Sequence, residues 1–373
     1  MLIILLVSIL ISWLIINFIF TRYWDKGISA SAKFKDNYIY KGESSALIET
    51  IVNDKHLPIP GIAIRLAISR YLEFTKESRK NSSVSDQTYK KDIFSFLNRQ
   101  KIIRTLTFKG TKRGVYKINS LDVFAYNYFY KETSYITFPE NSTMYVYPAQ
   151  IDVSRINFIC KDISGLILSL DRLHPDPFEF SGIREYTPND PINKVNWKAS
   201  ARSNTLMVNQ FDSTTNIDLI ILLDIEDSKI LRHDNLVEEN ISIASSLTGH
   251  LCKMKMPAKV LSNGTDFDTD RYLDWTMPVG CNDISYLNQK LSLISSEKIE
   301  YEFTDFLDEI LNKNITNSIF TVVSHNYSDE IIDKIKKLTL LNNWVLWIIT
   351  MDSGKKNHTL NIPNVKIINW EVS

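Results

Sequence analysis

The chain changes its hydrophobic rhythm three times, and each change predicts a different kind of element. From Leu2 to Phe20 there is no charged side chain. As a helix such a run is about 28 Å long, close to the roughly 30 Å thickness of a bilayer's hydrocarbon core. Residues 28–148 then alternate apolar with polar positions, rich in β-branched and aromatic residues. The stretches 45–53, 62–70, 102–108 and 144–148 predict strands, separated by turn signals such as Leu-Pro-Ile-Pro-Gly at 57–61. The polar run 75–92 interrupts them and reads as an exposed loop or disordered tongue.

Beyond residue 212 the period lengthens. The continuous apolar run at 216–225 predicts a strand covered on both faces. Leu236, Ile241, Ile243, Ala244, Leu247 and Leu251 mark one amphipathic helix. Phe303, Phe306, Leu307, Ile310 and Leu311 mark a second, and Ile331, Ile332, Ile335 and Leu338 a third. Strands are predicted at 318–324, 344–350 and 365–372. The alternation implies βαβ units and a mostly parallel sheet. The expected architecture is therefore α/β plus all-β. It has a transmembrane anchor at 1–23, an antiparallel β-sandwich at 28–150, a connecting segment at 151–212 and a three-layer α/β domain at 213–373.

Around the first run, Tyr23 and Trp24 stand where an interfacial aromatic belt is expected, beside Arg22 and Lys26. A cleaved signal peptide is the competing reading, since Ser-Ala-Ser-Ala at 29–32 offers a small-residue site. No Lys or Arg precedes the apolar run, however, and Arg22 and Lys26 separate it from that site. A retained single-pass anchor in the plasma membrane is the expectation. The positive charges follow the span, so the bulk of the chain is expected in the cytoplasm.

Lys+Arg and Asp+Glu both number 43, so no net field draws nucleic acid or anionic substrate to the chain. Cys160, Cys252 and Cys281 form no metal knuckle and no disulfide framework, and read as buried, inert thiols. The six histidines show no metal-ligand spacing, and there is no phosphate-binding GxxxxGK[ST]. Ser200 lacks the flanking glycines of a nucleophile elbow. No complete catalytic motif is present, and no cofactor is implied.

Two places carry candidate chemistry. After the strand at 216–225 the chain reads Leu-Leu-Asp-Ile-Glu-Asp-Ser. Asp224, Glu226 and Ser228 are weak candidates for a divalent cation held through oxygen, and for a metal-assisted hydrolase as the alternative function. The spacing resembles the metal-ion-dependent adhesion loop of von Willebrand factor A-like domains, with Glu226 in place of a Ser; the competing role is helix capping. The second place is residues 181–212, SGIREYTPNDPINKVNWKASARSNTLMVNQFD. Pro188 presets a turn, and Arg184 and Arg202 can clamp carboxylates in a bidentate manner. Trp197 reads as packed, with Lys194, Lys198 and Arg202 beside it, and the nearby acids argue against nucleic acid. The segment reads as a brace or docking face.

This segment closely resembles the signature of the bacterial domain-of-unknown-function family DUF-58. The resemblance rests on Arg184, Glu185, Tyr186, Asp190, Trp197, Lys198, Ser200, Ala201, Arg202 and Leu206. It departs at Asn189, Asn193 and Gln210, where the family has Gly, Arg and an acid. The segment 112–118 is similar to the family's Arg-Gly-x-Tyr element, and the α/β region resembles its von Willebrand-like half. The resemblance implies a membrane-anchored companion of a MoxR-type AAA+ ATPase acting on a client protein. It implies no catalytic residue. Members usually begin with two spans, where this chain has one.

Overall fold

The computed structural model describes residues 2–74, 82–84, 87–127, 132–173, 180–188, 190–211, 217–227, 233–266, 271–294, 302–355, 357–359 and 361–372. They form two compact units, the first of residues 1–149 with 291–293 and the second of residues 150–290 with 294–373.

The first unit opens with helix α1 (Leu2–Tyr23), apolar along nearly its whole length and exposed over most of it. Its C-terminal end behaves differently. Phe20 and Trp24 are 1% and 4% exposed and belong to the core of the strand region that follows. Lys55 donates its ammonium to the carbonyls of Tyr23 and Trp24, which the helix leaves without intrahelical partners. Tyr23 is exposed, as a belt residue would be, but Trp24 is not. Its indole ring is core material, because a short turn through Gly27 (φ +68) brings the chain straight into the first strand.

Ten strands follow: β1 (Ile28–Phe34), β2 (Tyr38–Tyr40), β3 (Ser44–Asn53), β4 (Ile59–Ser69), β5 (Leu72–Phe74), β6 (Ser82–Val84), β7 (Gln87–Phe96), β8 (Gln100–Gly110), β9 (Gly114–Tyr126) and β10 (Glu132–Tyr147). They make a four-stranded sheet, β1-β3-β8-β5, and a six-stranded sheet, β2-β10-β9-β4-β7-β6. Every pairing is antiparallel except β2 with β10. Leu47, Ile51, Leu106 and Phe108 from one sheet meet Ile62, Ile64, Leu66, Val123 and Val146 from the other, as alternating inward positions of a sandwich do. The predicted strands at 45–53 and 102–108 fall within β3 and β8, and those at 62–70 and 144–148 overrun the ends of β4 and β10 by one residue.

Two features differ from expectation. The polar run 75–92 is not all loop, since β6 and the start of β7 lie in it and β7 pairs with β4 from Ile59↔Phe96 to Ser69↔Gln87. The ladder overrides the polar composition; residues 75–81 and 85–86 lie outside the described residues. Also, the Ser-Ala-Ser-Ala stretch is the middle of β1, with Ala30 and Ala32 buried and paired to β3.

The second unit contains α2 (Val153–Leu173), β11 (Phe180–Glu185), a 3-10 turn (Ile192–Lys194), α3 (Trp197–Ser203), β12 (Met207–Phe211), β13 (Leu219–Leu223), α4 (Asp234–Lys253), β14 (Lys259–Asp266), β15 (Arg271–Thr276), α5 (Ser285–Leu293), α6 (Phe303–Asn312), β16 (Ile319–Ser324), α7 (Asp329–Leu340), β17 (Trp344–Asp352) and β18 (Val365–Val372). Six strands lie in the order β15-β14-β13-β16-β17-β18, all parallel apart from β15. Ile220, Leu222, Phe320, Val322 and Trp347 pack with Phe306, Ile310, Ile335 and Leu338 of α6 and α7. Helix α4 packs on the sheet at β13, β16, β17 and β18, with α2 beside it. This is the three-layer, mostly parallel α/β domain that the apolar periodicity predicts. The stretch read as a connector therefore holds a long helix of the α/β unit, α2, and the separate hairpin β11–β12.

Truncating Trp24 or Phe20 to Ala removes a core side chain, not a lipid contact. Either change is expected to destabilise the sandwich by about 3–5 kcal/mol. Thermal unfolding of the detergent-solubilised full chain checks this, with Leu10→Ala on the exposed part of α1 as a control that leaves the transition in place.

Candidate functional site

The hairpin at 180–211 is built mainly from polar side chains that bond to their own backbone. Strands β11 and β12 pair from Phe180↔Phe211 to Glu185↔Met207, and the backbone N–H of Tyr186 extends the ladder to the carbonyl of Leu206. The guanidinium of Arg184 grips Asp190 through two contacts, Nη1 to Oδ2 at 2.7 Å and Nη2 to Oδ1 at 2.5 Å. Oδ2 of Asp190 also accepts from the N–H and hydroxyl of Thr187, at 2.8 and 2.7 Å. The hydrogen bonds from Arg184 and Thr187 hold the Asp190 carboxyl well below the usual carboxylate range. Arg184 is bidentate as expected, but the pair is solvent-facing, so its role is to fix the turn rather than add much stability.

A second set of bonds fixes α3. Asn196 caps the helix, its Oδ1 accepting from the N–H of Ala199 at 2.9 Å while its Nδ2 donates to Asn209 at 2.7 Å. Ser200 donates its hydroxyl to the carbonyl of Asn196 and accepts the N–H of Met207, both at 2.8 Å. That hydroxyl ties helix to strand. Asn204 closes α3 in the left-handed region (φ 57). Sequence reasoning missed Asn196, although an Asn immediately before a short helical run is a start signal.

Several apolar side chains of the hairpin face outward. Trp197 is 67% exposed, and Ile183, Ile192 and Leu206 are exposed too. The expectation that Trp197 packs inward is corrected: it is the first residue of α3, and the buried contacts of the hairpin are made by Val195 and Val208 instead. Glu185, Lys198 and Arg202 are exposed and Tyr186 is half-buried. Arg202 forms no ion pair with a described residue, so only Arg184 of the two arginines clamps an acid. Asn189 lies outside the described residues.

The Asp-Ile-Glu loop after β13 is committed differently. Asp224 is fully buried. Its Oδ1 accepts from the N–H of Glu226 at 2.8 Å and its Oδ2 faces the Ser324 hydroxyl at 2.6 Å. Asn240 of α4 donates to the carbonyl of Asp224 and accepts from Thr350, and Asn263 accepts from the N–H of Ile225. Glu226 accepts the N–H of Phe303 at 2.7 Å, at the start of α6. This is the capping alternative. Ser228 lies outside the described residues. Among those residues, no three His, Cys, Asp or Glu side chains converge as a metal requires. Asp224 and Glu226 thus point their oxygens at protein donors, and the weak cation and hydrolase assignment gains nothing from the geometry.

Burial pushes the Asp224 carboxyl up to about 7, against the opposing pull of the bonds from Ser324 and Glu226. When protonated, Asp224 donates to Ser324 Oγ, whose own hydrogen turns to the carbonyl of Asn326 at 3.3 Å. His325, next in the chain, has its pKa lowered by burial.

Comparison with known proteins adds one sequence match. A family described as a protein of unknown function, DUF58, matches residues 182–255, covering most of the hairpin, β13 and α4. No curated protein matches the chain. Among solved structures, a CARDB domain from Pyrococcus furiosus is 11% identical and covers 32% of this chain and 94% of its own, with a TM-score of 0.21. A non-cellulosomal cohesin from Archaeoglobus fulgidus is 11% identical over 32% and 91%, with a TM-score of 0.23. A type I cohesin from Pseudobacteroides cellulosolvens is 14% identical over 33% and 95%, at 0.21.

The raised pKa of Asp224 fixes the sign of a pH effect. The native state holds this proton more tightly than the unfolded chain does. The resulting stabilisation is full below the unfolded value of about 3.9 and is lost as pH rises through about 7. Asp224→Asn keeps a donor toward Ser324 and cannot ionise. Relative to the wild type it is expected to be near neutral at about pH 4 and more stable by roughly 3–4 kcal/mol at about pH 8. Denaturant unfolding of both full-length proteins in detergent at the two pH values measures the difference.

Proposed function

We propose that the chain is a membrane-anchored, non-enzymatic adaptor whose 180–211 hairpin docks a MoxR-type AAA+ ATPase that supplies the energy for work on a client protein. One observation carries this reading. The hairpin's polar residues Arg184, Asp190, Asn196 and Ser200 are used up on the hairpin itself, while Ile183, Ile192, Trp197 and Leu206 face solvent. A shape held by internal polar bonds, presenting an aromatic ring and aliphatic side chains, has the makings of a protein-docking element. The mixed-sign charges Glu185, Lys198 and Arg202 form its rim.

The anchoring half of the proposal draws on α1. It is long and apolar enough to span a bilayer, a property it shares with signal sequences. Retention is favoured because Phe20, Trp24 and β1 are parts of the sandwich, and cleavage at 29–32 would remove core side chains and cut the β1–β3 ladder. Arg22 and Lys26 after the span favour a cytoplasmic location for both units, where an ATPase would be met. The three-layer α/β unit, in this reading, is a von Willebrand factor A-like scaffold for the hairpin.

Trp197→Ala tests the docking role. Because Trp197 is exposed, the melting temperature of the solubilised full chain should not change. Recovery of the AAA+ ATPase from detergent-solubilised membranes should fall about tenfold or more, as for an aromatic hot spot. Full recovery with Trp197→Ala would remove the hairpin from the interface.

A further inference from the structure

Cys252 and Cys281, distant in sequence, meet in the α/β unit. Cys252 is buried on the last turn of α4. Cys281 is part-exposed, in the turn that follows β15, where Gly280 takes φ +73 and the N–H of Cys281 closes on the carbonyl of Pro278 at 3.0 Å. The two sulfurs are 3.5 Å apart and both are free thiols. The Cys252 thiol also lies 3.2 Å from the carbonyl of Cys281, and the Cys281 thiol 3.1 Å from that of Asp283. The third thiol, Cys160, is buried in α2.

We propose that Cys252 and Cys281 are a dithiol modification site that forms a reversible intramolecular disulfide when it meets a low-molecular-weight disulfide of the glutathione class. A bond of about 2.05 Å requires the sulfurs to close by roughly 1.5 Å. The side bearing Cys281 is a turn with a glycine in the left-handed region and a fully exposed Val279 at its tip. It can move without disturbing a strand or a helix.

Access sets the order of steps. Burial beside Cys281 pushes the Cys252 thiol up to about 11, so Cys281 is the attacking group. Its thiolate attacks one sulfur of the small disulfide, forming a mixed disulfide and releasing one small thiolate. Cys252 then gives up its proton and attacks Sγ of Cys281, which releases the second small thiol. Two protein thiols are oxidised, one small disulfide is reduced to two thiols, and no electron is left over. The product closes a covalent loop over residues 252–281, tying the end of α4 to the β14–β15 hairpin it encloses. In a reducing compartment the pair rests as thiols, and oxidation writes the change.

The full-length protein in detergent, equilibrated with mixtures of reduced and oxidised glutathione, alkylated and mapped by peptide mass, tests the site. Cys252 and Cys281 should lose alkylation together as the mixture becomes more oxidising. They should appear as one linked peptide lighter by two hydrogens, which reductant restores to two alkylatable thiols. In Cys252→Ala the part-exposed partner should stop at the mixed disulfide, and in Cys281→Ser Cys252 should stay alkylatable after unfolding. The proposal is overturned if wild-type Cys281 stops at the mixed disulfide, if Cys252 pairs with Cys160, or if both thiols survive the most oxidising mixture.

Discussion

A polar side chain that has satisfied its bonds at home is unavailable to a partner, and the 180–211 hairpin is organised by that constraint. Arg184 and Thr187 converge on Asp190, and Asn196 and Ser200 bind α3 to β12. The first set is largely exposed and the second part-buried, and neither contributes more than about 1 kcal/mol per bond. Their effect is geometric. With turn and helix start both fixed, a single backbone arrangement carries Trp197 into solvent at the first position of α3. Arg184, Asp190, Asn196 and Ser200 are the framework that presents this ring.

The strand-end loop at Asp224 shows the complementary case. In a parallel α/β sheet this position is where ligand chemistry is usually assembled. Here the carboxylate is drawn inward and shared among Ser324 and the N–H of Glu226, while Glu226 turns to the start of α6. Asn240, Thr350 and Asn263 complete a buried network joining β13, α4, β14 and β17. Such a network specifies how helix and strands meet, at the cost of burying an ionisable group.

The apolar rhythm made the α/β unit legible, because β13, β16 and β17 are buried on both faces and α4, α6 and α7 on one stripe each. Strand β7 was not legible, since its polar sequence is held by pairing with β4 and no local pattern announces a ladder. Helix α2 was legible but went unread: Ile156, Ile159, Cys160 and Ile163 recur at helical spacing and are buried. In the hairpin, residue types announced a shaped segment, and Arg184 was visible as a carboxylate clamp, though not Asp190 as the acid it holds. Which way Trp197 faces was not, because direction depends on the cap at Asn196 and on Val195 and Val208 taking the buried positions. The contact of Cys252 with Cys281 depends on tertiary structure alone.

The burial of Phe20 and Trp24 also limits reach. A folded domain usually hangs from its span by a flexible stalk and can sweep a volume of the cytosol. Here the last turn of α1 is already part of the sandwich core, and Lys55 fastens its final carbonyls. With no slack between them, helix and sandwich tilt together, and where α1 spans a bilayer as proposed the domain stands as a mast would, at a fixed height. On that proposal, a protein that engages the sandwich meets it at the lipid surface.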